Sequence, residues 1–330
     1  MKESEEYMKK IILLILTVFI IALILVFNIF KKDNNRVVVS EVTHSVFYTP
    51  WYVALEKGYF KDEGLNIEVL LTQGADKVAS SVLSGDAHIG LSGPEVTIYI
   101  YNNSNIKLKT FASLTKRDGQ FIVGDCKYKD NFKMEDLINK KVLAGRSAGM
   151  PLMMFEYALS KSNIDKNKVI IDTSVDFASL TGAYISKRGD FVNLFEPNAT
   201  KIESEGAGCV LASLGQITGV VPYTAFYAKE EYINENKETL EKFNKALNKG
   251  LKYVRDNDTK KVAELIIKQF PDTNINELTT LIDRYKNADS WYKSTYVNID
   301  DYYRLVDIML YGKTIHEKPQ LEQLITNEFN

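Results

Sequence analysis

Residues 49–65, TPWYVALEKGYFKDEGL, decide the fold of this chain. They stand between two short apolar segments of strand length. Thr49 is a good helix N-cap, Pro50 suits the first helical position, and Gly64 offers a left-handed stop. The pattern therefore predicts a strand, a loop, a capped helix and a second strand. In open α/β sheets ligands bind beyond the carboxyl ends of the strands, so the loop at 44–48 is a candidate ligand-binding segment.

Three further motifs follow in order: SGDAHIG at 84–90, GRSAG at 145–149 and FEP at 195–197. With PWYVALEKGYFKDEGL they resemble one clade of bacterial ABC-transporter substrate-binding proteins. That clade includes binders of alkylsulfonates, taurine, nitrate and pyrimidine precursors of thiamine, and it also resembles the yeast-type thiamine-pyrimidine synthases. The resemblance runs from about residue 37 to the C-terminus. It implies a type II periplasmic-binding-protein fold, in which two α/β lobes close on a solute.

Composition excludes several classes of function. The 330 residues suffice for two domains, and 41 Lys and Arg against 43 Asp and Glu give no basic patch for nucleic acid. The three histidines show no metal-ligand spacing, so neither a metal nor a cofactor is expected. Cys126 and Cys209 are far apart in sequence. A disulfide between them stays open, although two unpaired thiols are the favoured interpretation.

The N-terminus predicts a membrane anchor. Residues 11–30 are apolar apart from Thr17 and Asn28, and about 20 such residues cross a bilayer as a helix. No cleavage site of the small-residue kind follows, which favours an uncleaved signal anchor over cleavage at an atypical site. Lysine pairs flank both ends, so charge alone leaves the orientation open. The resemblance implies that the binding domain lies outside the cytoplasm.

The alternation of strand and helix patterns predicts the domain organisation. The chain is expected to cross between the two lobes near 121–125 and 222–227, and its helical C-terminal part should pack back onto the first lobe. The predicted parts are the anchor and linker at 1–36, the first part of lobe I at 37–122, lobe II at 123–223, and the return crossing with the C-terminal helices at 224–330.

Four loops are expected to meet in an interlobe cleft, and in chain order they lie at 44–51, 92–95, 145–149 and 195–198. Aromatic side chains of the first could sandwich a planar ligand, although Trp51 could equally belong to the core. The second and third loops open helices, whose free N–H groups suit an anion. Glu95 could be a simple first-turn charge or could accept hydrogen bonds from a ligand amino group. Arg146 could clamp a carboxylate or sulfonate, or cover the lobe edge.

The fourth loop follows an apolar strand and carries Glu196, a plausible partner for an amine, amidine or hydroxyl. Glu196 is the strongest single polar candidate. The full set of predicted ligand-binding residues is His44, Phe47, Tyr48, Trp51, Ser92, Gly93, Glu95, Arg146, Ser147, Asp176, Phe177, Glu196 and Tyr223.

These features predict the solute-binding component of an ABC importer, monomeric, working with a permease and its ATPase subunit. Two carboxylates beside one anion would be costly, which favours an aminopyrimidine thiamine precursor over a sulfonate, taurine or nitrate. An enzyme like the pyrimidine synthases is disfavoured, because the chain has no cysteine cluster and no hydrolase or metalloprotease motif. A membrane-bound sensor is a third hypothesis, but no signalling module is recognisable in the sequence.

Overall fold

Two five-stranded sheets organise the computed structural model, which describes residues 15–20, 35–145 and 149–330. The first sheet has the order β2-β1-β3-β10-β4. β1 pairs in parallel with β2 and β3, whereas β10 runs antiparallel to β3 and β4. Its strands are β1 (Arg36–Glu41), β2 (Asn66–Leu71), β3 (Ile89–Ser92), β4 (Leu108–Thr115) and β10 (Thr224–Lys229).

The second sheet repeats this plan in the order β7-β6-β8-β5-β9. β6 pairs in parallel with β7 and β8, and β5 is the strand that runs antiparallel to both of its neighbours. Its strands are β5 (Phe121–Gly124), β6 (Lys141–Leu143), β7 (Ile170–Asp172), β8 (Phe191–Leu194) and β9 (Cys209–Ser213).

Helices cover both sheets, as the buried central strands require. Those associated with the first sheet are α1 (Thr49–Glu56), α2 (Tyr59–Asp62), α3 (Ala75–Ser84) and α4 (Glu95–Asn103). Those associated with the second are α5 (Met150–Lys161), α6 (Leu180–Ile185), α7 (Asn198–Ser204) and α8 (Leu214–Thr218). The C-terminal part contributes α9 (Glu230–Glu235), α10 (Lys237–Asp256), α11 (Thr259–Ile266), α12 (Ile275–Asn287) and α13 (Ile299–Tyr311).

The chain crosses between the sheets twice, between Thr115 and Phe121 and between Thr218 and Thr224. The expected crossings at 121–125 and 222–227 lie slightly too late, because residues 121–124 already pair in β5 and 224–229 in β10. Lobe I therefore carries the first sheet and lobe II the second. The C-terminal helix α10 packs on α1, which places it on lobe I.

The predicted N-cap of the first helix is wrong by one residue, because α1 begins at Thr49 itself and the N-cap position belongs to Tyr48, which makes no side-chain cap. A 3-10 turn at Val46–Tyr48 precedes α1, and the hydroxyl of Ser45 accepts the N–H of Phe47 at its start. Thr49 lies inside the helix and donates to Val46 O at 2.6 Å instead of capping. Gly64 does adopt the predicted left-handed conformation, with φ 78°.

The two cysteines form a disulfide, which the preference for free thiols missed. Cys126 and Cys209 are 83 residues apart in sequence, with their Cα atoms 4.9 Å apart. The disulfide could not be predicted from the sequence separation, because the pairing of β5 with β9 is what brings Gly124 opposite Cys209. The disulfide links β9, an edge strand of the second sheet, to the segment that follows β5.

Most of the predicted anchor lies outside the described residues. Of the apolar run at 11–30, the structure describes 15–20, which are helical. Within the described ranges, no helix has the length and apolar character needed to cross a bilayer.

Candidate ligand site between the lobes

An aromatic cluster centred on Phe47 joins the two lobes. The ring centroid of Phe47 is 4.9 Å from Tyr285 of α12, 5.8 Å from Tyr223 and 5.9 Å from Phe195. Phe195 follows β8 of lobe II, whereas Phe47 belongs to the loop after β1 of lobe I. The indole N–H of Trp291 donates to Phe47 O at 2.8 Å and fixes that loop. Residues from both lobes therefore build one aromatic cluster, and the rings of Phe47, Tyr223 and Tyr285 are buried in it.

Glu95 lies at the junction of the lobes and is not satisfied there. Glu95 is the first residue of α4 in lobe I, and it is 2% exposed. Its Oε2 has no hydrogen-bond partner among the described residues. Burial raises the pKa of its carboxyl to about 7, and backbone N–H groups of Glu95 and of Met150 in lobe II oppose the rise. A Cβ on Gly93 would come within 2.0 Å of Oε2, so this close approach requires glycine.

Asp118 is a second unsatisfied carboxyl, on the first crossing between the lobes. It is 1% exposed, and Oδ1 accepts the N–H of Gln120 at 2.7 Å. Oδ2 has no partner at hydrogen-bond distance among the described residues. Burial raises the pKa of this carboxyl to about 8, and the nearby hydroxyl of Tyr223 opposes the rise. Burial thus leaves Asp118 largely neutral near pH 7 and Glu95 about half protonated there.

Three tyrosines connect the two carboxyls electrostatically. Burial raises the pKa of Tyr223 well above its ordinary value, and the charges of Asp118 and Glu95 add to that rise. The pKa of Tyr48 is raised by burial, then by Glu41 and by Glu95, and that of Tyr285 by burial, then by Glu196 and by Asp118. The Tyr223 hydroxyl has no hydrogen-bond partner among the described residues. Two acids and a phenol therefore face one aromatic region with hydrogen-bonding capacity unused.

Two buried amides extend this set of unsatisfied groups. Gln120 and Asn193 are fully buried, and both side-chain polar atoms of each lack a partner in the described part of the chain. Asn193 pairs with Ile122 across β8 and β5, and Gln120 directly precedes β5. Buried polar atoms of native proteins are rarely left unpaired, so ordered water or a bound molecule is expected to complete the hydrogen bonding of these amides.

Glu196, in contrast to Glu95 and Asp118, has hydrogen-bond partners on both carboxyl oxygens. Its Oε2 accepts the N–H of Thr200 at 2.9 Å, and its Oε1 accepts the Thr200 hydroxyl at 3.1 Å and the guanidinium of Arg284. The backbone N–H of Glu196 donates to the Tyr285 hydroxyl at 3.0 Å. The side chain predicted as the leading polar ligand contact therefore has protein partners on both oxygens.

The first predicted loop divides between the aromatic cluster and the core of lobe I. Trp51 is fully buried among aromatic rings and donates its indole N–H to Glu41 at 3.2 Å. His44 contacts Glu41 through Nδ1 at 3.0 Å and Gln269 O through Nε2 at 2.8 Å, and its bond with Glu41 raises its pKa. Both residues hold the loop in place, whereas Phe47 and Tyr48 present rings to the interlobe region.

The remaining predicted residues are distributed more widely. The hydroxyl of Ser92 is bonded to Tyr227 at 2.9 Å, within lobe I. Phe177 lies against Gly145 and at 6.2 Å from the Phe195 ring, whereas the neighbouring Asp176 is exposed. Arg146 and Ser147 lie outside the described residues.

Sequence reasoning missed Asp118, Gln120, Asn193, Tyr285 and Arg284. A signal was available for Asn193, the one polar residue in an otherwise apolar strand, and for the polar segment 116–120 between two apolar strands. Tyr285 and Arg284 lie on a helix far along the chain, and only the tertiary fold brings them here. The described residues contain no group of three acidic, His or Cys side chains that could hold a metal ion.

Comparison with known proteins agrees with this architecture. The NMT1/THI5-like family model matches residues 46–260. YtlA of Bacillus subtilis (strain 168), whose name describes a binding protein, is 38% identical over 300 residues, covering 90% of each chain. The prediction of a non-enzyme is confirmed by such relatives, which are binding proteins.

Two solved structures show the same fold at low sequence identity. The ligand-binding component of an ABC-type import system from Staphylococcus aureus, with zinc bound, superposes with a TM-score of 0.71 at 13% identity, covering 89% of this chain and 97% of that one. The periplasmic aliphatic sulphonate binding protein SsuA from Escherichia coli gives 0.69 at 13% identity, covering 88% and 96%. The periplasmic-binding-protein fold with two α/β sheets is thereby confirmed, and the chain belongs to the NMT1/THI5-like family.

Proposed function

We propose that this chain is the extracytoplasmic solute-binding component of an ABC importer and that its solute is a nitrogen-bearing, hydrogen-bond-donating ring such as an aminopyrimidine. The observation that carries the solute class is that two buried carboxyl oxygens, Glu95 Oε2 and Asp118 Oδ2, have no hydrogen-bond partner among the residues that the structure describes. Amino groups and protonated ring nitrogens supply the donors that such oxygens need. The rings of Phe47, Tyr48 and Tyr223 supply a surface on which a planar ring can stack.

An anionic solute fits this arrangement less well. The N-terminus of α5 would attract an anion through its free N–H groups. Glu95 of lobe I already approaches the N–H of Met150 at that helix end. A sulfonate or nitrate there would meet a carboxyl whose ionisation it opposes, with a second acid at Asp118 near the same tyrosine. The relatives that bind sulfonates share the fold with this chain at low identity, so they do not decide its solute.

The location and partners follow from the same proposal. A disulfide between Cys126 and Cys209 is typical of compartments outside the reducing cytoplasm. The apolar run at 11–30 would tether the domain to the membrane, beside a permease whose ATPase subunit drives transport. The two crossings between the lobes would act as the hinge for closure on the solute, and the chain would work as a monomer.

Thermal unfolding of the full chain, kept in solution with a mild detergent, tests the solute class. An aminopyrimidine at about 100 times its dissociation constant should add roughly 2.7 kcal/mol to the free energy of unfolding and raise the midpoint. Alkylsulfonates, taurine and nitrate should leave the midpoint unchanged. A rise with one of these anions and none with aminopyrimidines would reject the proposed solute class. Recovery of a chemically altered ligand would instead indicate an enzyme.

A further inference from the structure

Helix α12 belongs to lobe I but presents one charged side chain to lobe II. Its apolar face, which includes Leu281 and Ile282, is buried, and Tyr285 packs against Phe47 of the loop after β1. Arg284 precedes Tyr285, and its side chain is 23% exposed. The guanidinium carbon lies 5.7 Å from the ring centroid of Phe121, at the start of the first lobe II strand. The helix therefore carries a cation to the seam between the lobes.

Arg284 binds three groups of lobe II at once. One terminal nitrogen donates to Glu196 Oε1 and, at 3.0 Å, to the Thr200 hydroxyl. The other donates to Glu203 Oε2 at 2.6 Å. These acceptors lie on α7 or just before it. Because Glu196 is 2% exposed, its carboxylate depends on these partners for its charge.

The adjacent residue strengthens the same connection. The backbone N–H of Glu196 donates to the Tyr285 hydroxyl, so two consecutive side chains of α12 hold the segment that opens α7. Elsewhere along the seam, Gln216 donates to Asn287 O at 3.5 Å and Arg117 donates to Gly215 O at 3.4 Å, both long bonds to backbone carbonyls. Short bonds between a guanidinium and two carboxylates are stronger than such long bonds to neutral carbonyls.

Solvent reaches this connection from one side. An open groove of about 420 Å³ lies between β9 of lobe II and α12 of lobe I, and Arg284 is among its lining residues together with Asp283, Asn287 and Gln216. Water and salt can therefore compete for the guanidinium, which makes the connection reversible rather than a permanent part of the core.

We propose that Arg284 is an interlobe latch that holds the lobes together before any solute is bound. Its bonds do not involve the unsatisfied groups around Glu95 and Asp118, so they act whether or not a solute is present. The ligand-free chain then populates a closed state, and solute enters when the latch opens. This goes beyond the proposed function and is independent of which solute is transported.

Energy transfer between one fluorophore on each lobe of the full, ligand-free chain tests the latch. Exposed Lys77 of lobe I and Lys168 of lobe II can carry the labels through unnatural amino acids, which leaves the disulfide intact. Arg284→Met should lower the closed-to-open ratio by roughly tenfold or more, because charged hydrogen bonds are lost. Glu203→Gln should give a smaller decrease, and 1 M NaCl should shift the native chain in the same direction.

Lys286→Met is the matched control, since Lys286 lies on the same helix but donates to Asn257 O within lobe I. It should leave energy transfer unchanged. Glu203→Gln guards against a folding defect, because its amide oxygen can still accept the N–H of Val210. Two results together would overturn the latch even if Arg284→Met fails to fold. They are native energy transfer in folded Glu203→Gln, and no effect of salt on energy transfer in the labelled chain that carries no substitution at the latch.

Discussion

Two regions of buried carboxyl groups lie at the junction of the lobes, and they are built in opposite ways. Glu196 has Thr200 and Arg284 on its oxygens, whereas Glu95 and Asp118 each have one oxygen with no partner in the described part of the chain. A buried charge requires partners, and a buried neutral acid still loses free energy if its hydrogen bonds are unmade. The Glu196 region therefore stabilises the fold, whereas the Glu95 and Asp118 region is held ready for a molecule that supplies donors.

The largest expected difference between the two regions appears in the pH dependence of stability. Burial raises the pKa of Glu95 from 4.5 to about 7 and that of Asp118 from 3.8 to about 8. Between those values the folded chain binds more protons than the unfolded chain, so these groups make stability fall as pH rises from about 4 to 8. The expected slope is on the order of 1 kcal/mol per pH unit.

Urea unfolding of the ligand-free chain across this range measures that slope. The double variant Glu95→Gln, Asp118→Asn should lose most of it, and the difference between the two curves isolates these carboxyls from every other titrating group. Parallel curves would mean that both acids titrate normally and are not buried without partners.

Ligand affinity should separate the regions next. Asp118→Asn keeps the side-chain size but removes the carboxylate with which a protonated ring nitrogen of the solute can pair, and it should weaken an aminopyrimidine by about 1.5–3 kcal/mol, the contribution of a hydrogen bond to a charged group. Titration calorimetry measures this, with the exposed Glu205→Gln as the control for a lost carboxylate. Equal affinities for Asp118→Asn and the control would place Asp118 outside the ligand site.

Glu196→Gln should act mainly on stability. It removes one of the two negative partners of Arg284, the other being Glu203, while leaving an oxygen for Thr200, and we expect a loss of about 2 kcal/mol in the free energy of unfolding. Affinity for solute should change much less. A large loss of affinity with unchanged stability would restore Glu196 to the ligand-contacting role that the sequence suggested.

The smallest effect is expected at Glu41, a fourth buried carboxyl, which is partnered by His44, Trp51 and Tyr52. The bond to Glu41 raises the pKa of His44 above 6.5. The bond between His44 and Glu41 therefore stabilises the fold fully below about pH 6.5. This stabilisation is lost as the pH rises through the pKa that His44 has in the folded chain. His44→Gln should cost less than about 1 kcal/mol, because the histidine is partly exposed. NMR can measure the pKa of the His44 imidazole. A value at or below 6.5 would contradict this prediction.

The fold was readable from local patterns, and the site only in part. Periodicity and the motif at 49–65 indicate the alternating architecture, because strands and amphipathic helices are local features. The roles of Glu95 and Glu196 depend on what surrounds each carboxyl, and sequence shows only that both follow strands. Arg284 is 88 residues from Glu196 in the chain, so its pairing could not be inferred without the fold. The disulfide was hidden for the same reason.

Titration calorimetry of an aminopyrimidine and an alkanesulfonate into the native chain and into Glu95→Gln tests the central claim most directly. If the unpartnered carboxyl awaits hydrogen-bond donors, the aminopyrimidine binds the native chain more tightly and loses roughly tenfold or more in affinity on the substitution. If the site is built for an anion, the alkanesulfonate binds more tightly and gains affinity when the acid is removed, which would contradict this account.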